Sequence, residues 1–125
     1  MSENSPYSKL AIDHAMTPRN MGILKNYNGH AELTGPCGDT IEFWVLIKDD
    51  IIQKIAWVTD GCASSRSAAS MTSFMAANEH IEFVQNITQD DVLEELGRFP
   101  EDSYHCAALA ANTVKAAVFD YLQNR

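Results

Sequence analysis

A chain of 125 residues with 46% hydrophobic composition has the length of one ordinary globular domain and can bury roughly two thirds of its unfolded surface in a single core. It carries 9 Lys and Arg against 17 Asp and Glu, a net charge of −8, which argues against nucleic acid or an anionic lipid surface as its main partner. No stretch approaches the ~18 consecutive apolar residues of a membrane span, and Met1 to Lys9 is polar, without the basic start and apolar stretch of a signal peptide. Residues 1–125 are expected to form a single cytoplasmic domain with no membrane segment.

The first helical pattern runs from Pro6 to Met16, with Tyr7, Leu10, Ala11 and His14 on one stripe, and Thr17-Pro18 ends it because proline disfavours helical geometry in the residue before it. Arg19 to Gly29 reads as a loop. The period then changes to two. His30 to Thr34, Thr40 to Ile47 and Ile51 to Thr59 are strand candidates, and Lys48-Asp49-Asp50 joins the last two, so the stretch predicts a three-stranded antiparallel meander. After Asp60-Gly61 small residues and methionines take over, from Ala63 to Ala76, which suits a helix packed closely on a sheet. Thr88 with Asp91 three residues later resembles a capping box and predicts a short helix through Leu96. The charged stretch Gly97 to Ser103 leads into a long C-terminal helix from about Tyr104 to Gln123. The fold class is α+β: a small three-stranded antiparallel sheet with flanking helices and a long C-terminal helix.

Three cysteines, an odd number, cannot close into a full set of disulfides, and in a reducing cytosol thiols more often serve metals, redox or catalysis. Cys37, Cys62 and Cys106 are separated by 24 and 43 residues, so no CxxC pair is present, and spacing alone is compatible with three buried small hydrophobes. Their surroundings say more. Cys37 lies in the turn Gly35-Pro36-Cys37-Gly38-Asp39 before a strand, Cys62 follows Asp60-Gly61 and opens a helix, and Cys106 follows His105 in the first turn of the last helix. A thiol at a helix start feels the positive end of the macrodipole, which favours thiolate, the form that binds metal. Three thiolates with Asp39 or His105 as a fourth ligand suit zinc or an iron–sulfur cluster. Adjacent helical side chains diverge by about 100°, so His105 and Cys106 are expected to reach one metal only if His105 precedes the helix proper. His14, His30 and His80 read as structural or solvated, Met71 and Met75 as core, and Arg66 as solvated or as a charge favouring thiolate.

These motifs resemble the iron–sulfur cluster assembly scaffold family (IscU, SufU and the N-terminal domain of NifU). The resemblance runs from Tyr7-Ser8 through Asp13-His14 and Pro18-Arg19-Asn20-x-Gly22 to Gly35-Pro36-Cys37-Gly38-Asp39. It continues in Asp60-Gly61-Cys62-Ala63-x-Ser65, Ala69-Ser70-Met71, His105-Cys106-x-x-Leu109-Ala110 and Asp120-Tyr121. It implies a non-enzymatic scaffold on which a cluster, typically [2Fe-2S], is built from iron and sulfur supplied by a cysteine desulfurase and passed to apo iron–sulfur proteins. Cys37, Cys62 and Cys106 are the implied ligands, with Asp39 and His105 additional or exchanging ones. The cluster would sit within one chain or between two in a homodimer. Phe99-Pro100-Glu101-Asp102-Ser103 departs from the Leu-Pro-Pro-Val-Lys segment of many members, which argues against a dedicated DnaK-type chaperone. The alternative function is a zinc-bound persulfide acceptor serving a desulfurase, because the same ligands would hold zinc in the purified protein.

Overall fold

The computed structural model describes residues 5–125, so Met1 to Asn4 of the polar N-terminal stretch lie outside the described residues. Helix α1 spans Lys9–Met16, strands β1, β2 and β3 span Gly29–Thr34, Thr40–Lys48 and Ile51–Thr59, and α2 spans Ala63–Ala76. Short helices α3 (Ile81–Gln85) and α4 (Gln89–Leu96) follow, then a single 3₁₀ turn (Glu101–Ser103) and the long α5 (Tyr104–Asn124). The expected α+β architecture is present.

The sheet has the order β1-β2-β3, antiparallel throughout, with Phe43 opposite both Ala31 and Trp57, and Val45 opposite Gly29 and Ile55. Asp49 and Asp50 close the β2–β3 hairpin with φ of 54° and 61°, a left-handed pair that Asp tolerates better than most residues. Ile41, Phe43, Val45 and Ile47 project to one face by the two-residue period and meet Ile52, Ile55 and Trp57; α2 and α5 cover that face. The aromatic pair anchors it, since each such side chain removes roughly 150–250 Å² from water. Helix α5 passes very close to β1. A Cβ on Gly29 would stand 2.5 Å from the Ala117 carbonyl oxygen and 2.7 Å from Val45, so the crossing requires glycine there.

Three boundaries differ from expectation. α1 begins at Lys9 and not at Pro6, because Ser8 is its N-cap and accepts from the Ala11 amide. Residues 81–85 form a helix that the sequence pattern did not mark; His80 caps it by accepting from the Glu82 amide at 3.1 Å. The lead-in to α5 is itself helical, as a 3₁₀ turn. The Thr88–Asp91 capping box is present as read.

Candidate metal centre

The five candidate residues come from three separate segments that converge at one end of the sheet. Cys37 stands in the five-residue loop joining β1 to β2, closed by the Gly35 amide donating to the Asp39 carbonyl at 2.8 Å and by the Thr34 and Thr40 hydroxyls at 2.8 Å. Gly38 in that loop has φ +88°, a conformation L side chains rarely adopt. The β3–α2 connection is strapped to the same loop: Thr40 N–H donates to Asp60 Oδ1 at 2.8 Å, and the Thr59 hydroxyl to the Thr40 carbonyl at 2.6 Å. Cys62 is the N-cap of α2, yet its thiol makes no capping hydrogen bond, so the sulfur is not consumed by the helix. His105 and Cys106 are the second and third residues of α5.

Cys37 and Cys62 are exposed, whereas Cys106 is only 2% exposed. Two sulfurs therefore stand at the surface and one is packed in the core. His105 lies inside α5 rather than before it, yet its Nε2 reaches Cys37 Sγ within hydrogen-bond distance and lies 3.6 Å from Cys106 Sγ. The long imidazole folds back along the first turn, so adjacency on a helix did not separate these two side chains. Asp39 is joined to the group by Ser65, whose hydroxyl donates to Asp39 Oδ2 at 2.8 Å and lies 3.6 Å from Cys106 Sγ. As they stand, no three His, Cys, Asp or Glu side chains among the described residues close tightly enough to enclose a metal ion. The donors are gathered but the shell is open.

Burial dominates the electrostatics of Cys106 and pushes its thiol above the usual value; the hydrogen bond with Ser65 works the other way, and the charges of Cys62, Asp39 and Cys37 push it up further. This direction is opposite to the one expected from the helix start, and burial is its largest cause. Arg66 does not serve the site either: its Nε donates to the Ala15 carbonyl at the end of α1.

A chain of this fold with three cysteines at these junctions can be placed. The family described as NifU-like N terminal domain matches residues 6–125. The chain belongs to that family. An iron–sulfur cluster assembly scaffold protein IscU of Aquifex aeolicus is 34% identical over 122 residues, covering 95% of this chain and 78% of the relative. The scaffold protein of the same name from Escherichia coli K12 is 32% identical over 124 residues, covering 95% and 96%. Among solved structures, a NifU-like protein (N-terminal) from Brucella abortus superposes with a TM-score of 0.73 at 15% identity, over 94% of this chain and 95% of that one. A putative SUF-system scaffold from Fervidobacterium islandicum AW-1 gives 0.73 at 15% identity, over 94% and 99%. These two show the fold alone.

Within this NifU-like chain the remaining histidines are accounted for. His14 is buried with Nδ1 2.7 Å from Ser70 Oγ, His30 Nε2 pairs with Glu42 at 2.6 Å, and His80 caps α3. Met71 is buried in the core as expected, while Met75 is only partly buried against it. The residue that the sequence motif contains but to which its reading gives no role is Ser65. Its signal was its place three residues after Cys62, the third position of a helix whose first turn faces the candidate donors.

Proposed function

We propose that residues 1–125 act as a single scaffold domain on which an iron–sulfur cluster of the [2Fe-2S] type is assembled from iron and desulfurase-derived sulfur and then passed to apo iron–sulfur proteins. Cys37, Cys62 and Cys106 are the ligands, with Asp39 and His105 as the exchangeable positions. The relatives bearing the scaffold name, at 32–36% identity across 94–95% of the chain, support the role. The observation that carries it is the open donor set, with two exposed sulfurs, one buried sulfur, an imidazole between Cys37 and Cys106, and a half-buried carboxylate. Four fixed thiolates would hold a cluster too firmly to give it up; three thiolates and harder, weaker donors would not. Such a protein turns over no small substrate. No helix of the described residues is long and apolar enough to cross a membrane. Phe99 is buried and the acidic residues after Pro100 form the 3₁₀ turn before α5, which supports operation without a dedicated DnaK-type chaperone.

Anaerobic reconstitution with iron and sulfide, followed by visible absorption, tests the proposal. Charge-transfer bands that zinc cannot give are the expected result. A colourless protein holding one equivalent of tightly bound zinc would shift the reading to the sulfur acceptor.

A further inference from the structure

Ser65 is fully buried, and its hydroxyl has two neighbours: Asp39 Oδ2, to which it donates at 2.8 Å, and Cys106 Sγ at 3.6 Å. Both belong to the donor set. The packing around the contact is tight, for a Cβ on Gly61 would stand 2.8 Å from Asp39 Oδ2 and clash with Ser65. Asp39 Oδ1 has no hydrogen-bond partner among the described residues. A carboxylate can bind a metal through one oxygen or two, and a hydrogen-bond partner that orients one oxygen biases the choice between these modes. We propose that Ser65 is a positioning residue that confines Asp39 to one-oxygen ligation through Oδ1, keeping this carboxylate the weak, displaceable member of the set. The proposal rests on Asp39 being a ligand, as in the scaffold reading. With the hydroxyl gone, Oδ2 is released, the carboxylate can chelate, and the metal it holds leaves more slowly.

Cobalt(II) alone is the probe, because its visible bands are strong in a four-coordinate site and weaken when a fifth ligand joins. Wild type should show the strong bands. Ser65→Ala should weaken them and slow cobalt release to a chelator by roughly tenfold, the scale on which partners of metal-bound groups alter binding. In an Asp39→Ala background, Ser65→Ala should change neither. Equal spectra and release rates for wild type and Ser65→Ala, faster release, or a change that persists without Asp39 would overturn the proposal. Alanine favours the helix and Asp39 is only half buried, so water can take the vacated bond and the fold should survive; far-UV circular dichroism of the metal-free variant checks this. Asp39→Asn gives a second route that leaves Ser65 in place. It removes the second anionic oxygen and should keep the strong bands, whereas bands that strengthen on this change would mean that the wild-type carboxylate already chelates. Wild type taking up no cobalt would overturn the proposal as well. Cobalt binding of the expected kind without iron–sulfide assembly would sink the scaffold reading and leave Ser65 in its role, and the reverse pattern would do the opposite.

Discussion

Helix α2 uses serine in two ways. Along the seam with α1, the Ser67 hydroxyl donates to the Ala11 carbonyl at 2.7 Å, Ser70 Oγ accepts from the Arg19 amide at 2.8 Å and meets His14, and the Ser73 hydroxyl donates to the Arg19 and Ser70 carbonyls. All three serines are fully buried. Two residues before Ser67, toward the cysteines, Ser65 is equally buried but bonds to a carboxylate beside a thiol. At the seam the partners are mainly main-chain groups, which can only hold position. At the site they belong to the candidate donor set. The difference teaches that a run of small polar residues on one helix does not share one role: the seam stiffens the frame, and the site stays chemically unfinished.

The largest test of that contrast is to remove ligands. Cys37→Ser, Cys62→Ser and Cys106→Ser should each abolish or strongly weaken cluster assembly, read by the charge-transfer bands after reconstitution. Folding should respond unequally. The exposed positions should change stability within about 0.5 kcal/mol, and the buried Cys106→Ser should lower it by about 1–2 kcal/mol, because a hydroxyl is more costly to bury than a thiol. Loss of the metal-free fold in the Cys37 or Cys62 variant would assign those thiols to packing.

The seam should answer in the opposite sense. Ser67→Ala removes the side-chain donor to the Ala11 carbonyl, which keeps its bond within α1, and should cost about 0.5–1.5 kcal/mol in denaturant unfolding, with reconstitution unchanged. A fall in cluster yield from the protein that remains folded would erase the division between seam and site.

The seam also carries a pH dependence. Burial and then the nearby Arg19 charge lower the His14 pKa from its usual 6.5, and Asp13 opposes them in part. On acidification the unfolded chain takes up this proton first, so the stability owed to neutral His14 is complete above pH 6.5 and is lost progressively below it. His14→Gln should flatten the loss that sets in below pH 6.5, measured by denaturant unfolding. An unchanged slope would mean that His14 is not the group titrating at the seam.

Much of the frame was legible because its signals are local. The alternation in Thr40–Ile47 and Ile51–Thr59, the Thr88–Asp91 box and the apolar stripe of α5 each lie within one element. Ile81–Gln85 was not legible, since five residues are too few to show a 3.6-residue period. At the site, the identity and order of Cys37, Cys62, His105 and Cys106 could be read from the chain, as could their positions at element ends. The burial of Cys106 could not. Which face of α5 turns inward near its start depends on β1, β2 and α2 packing against it, and no short window of sequence contains them. The link between Asp39 and Ser65 spans 26 residues and is a tertiary contact of the same kind.

The smallest expected effect falls on Asp39, where frame and site meet. A bland role for this residue is to cap the start of β2, as Asp often does in turns, but the structure gives that role to Asp60, whose Oδ1 accepts from the Thr40 amide. Asp39 contributes its main-chain carbonyl to the loop and its carboxylate to Ser65. A carboxylate oxygen is a harder donor than thiolate and holds iron less firmly. Asp39→Ala should therefore still assemble a coloured cluster, with His105 able to complete the shell. It should pass that cluster to an apo-ferredoxin more slowly than wild type, by roughly tenfold or less, because the easily displaced oxygen and its negative charge are gone. Stability and transfer rate measured on one sample decide the matter. A less stable protein whose folded fraction transfers at the wild-type rate would return Asp39 to the frame, whereas slower transfer at nearly unchanged stability would place it with the ligands.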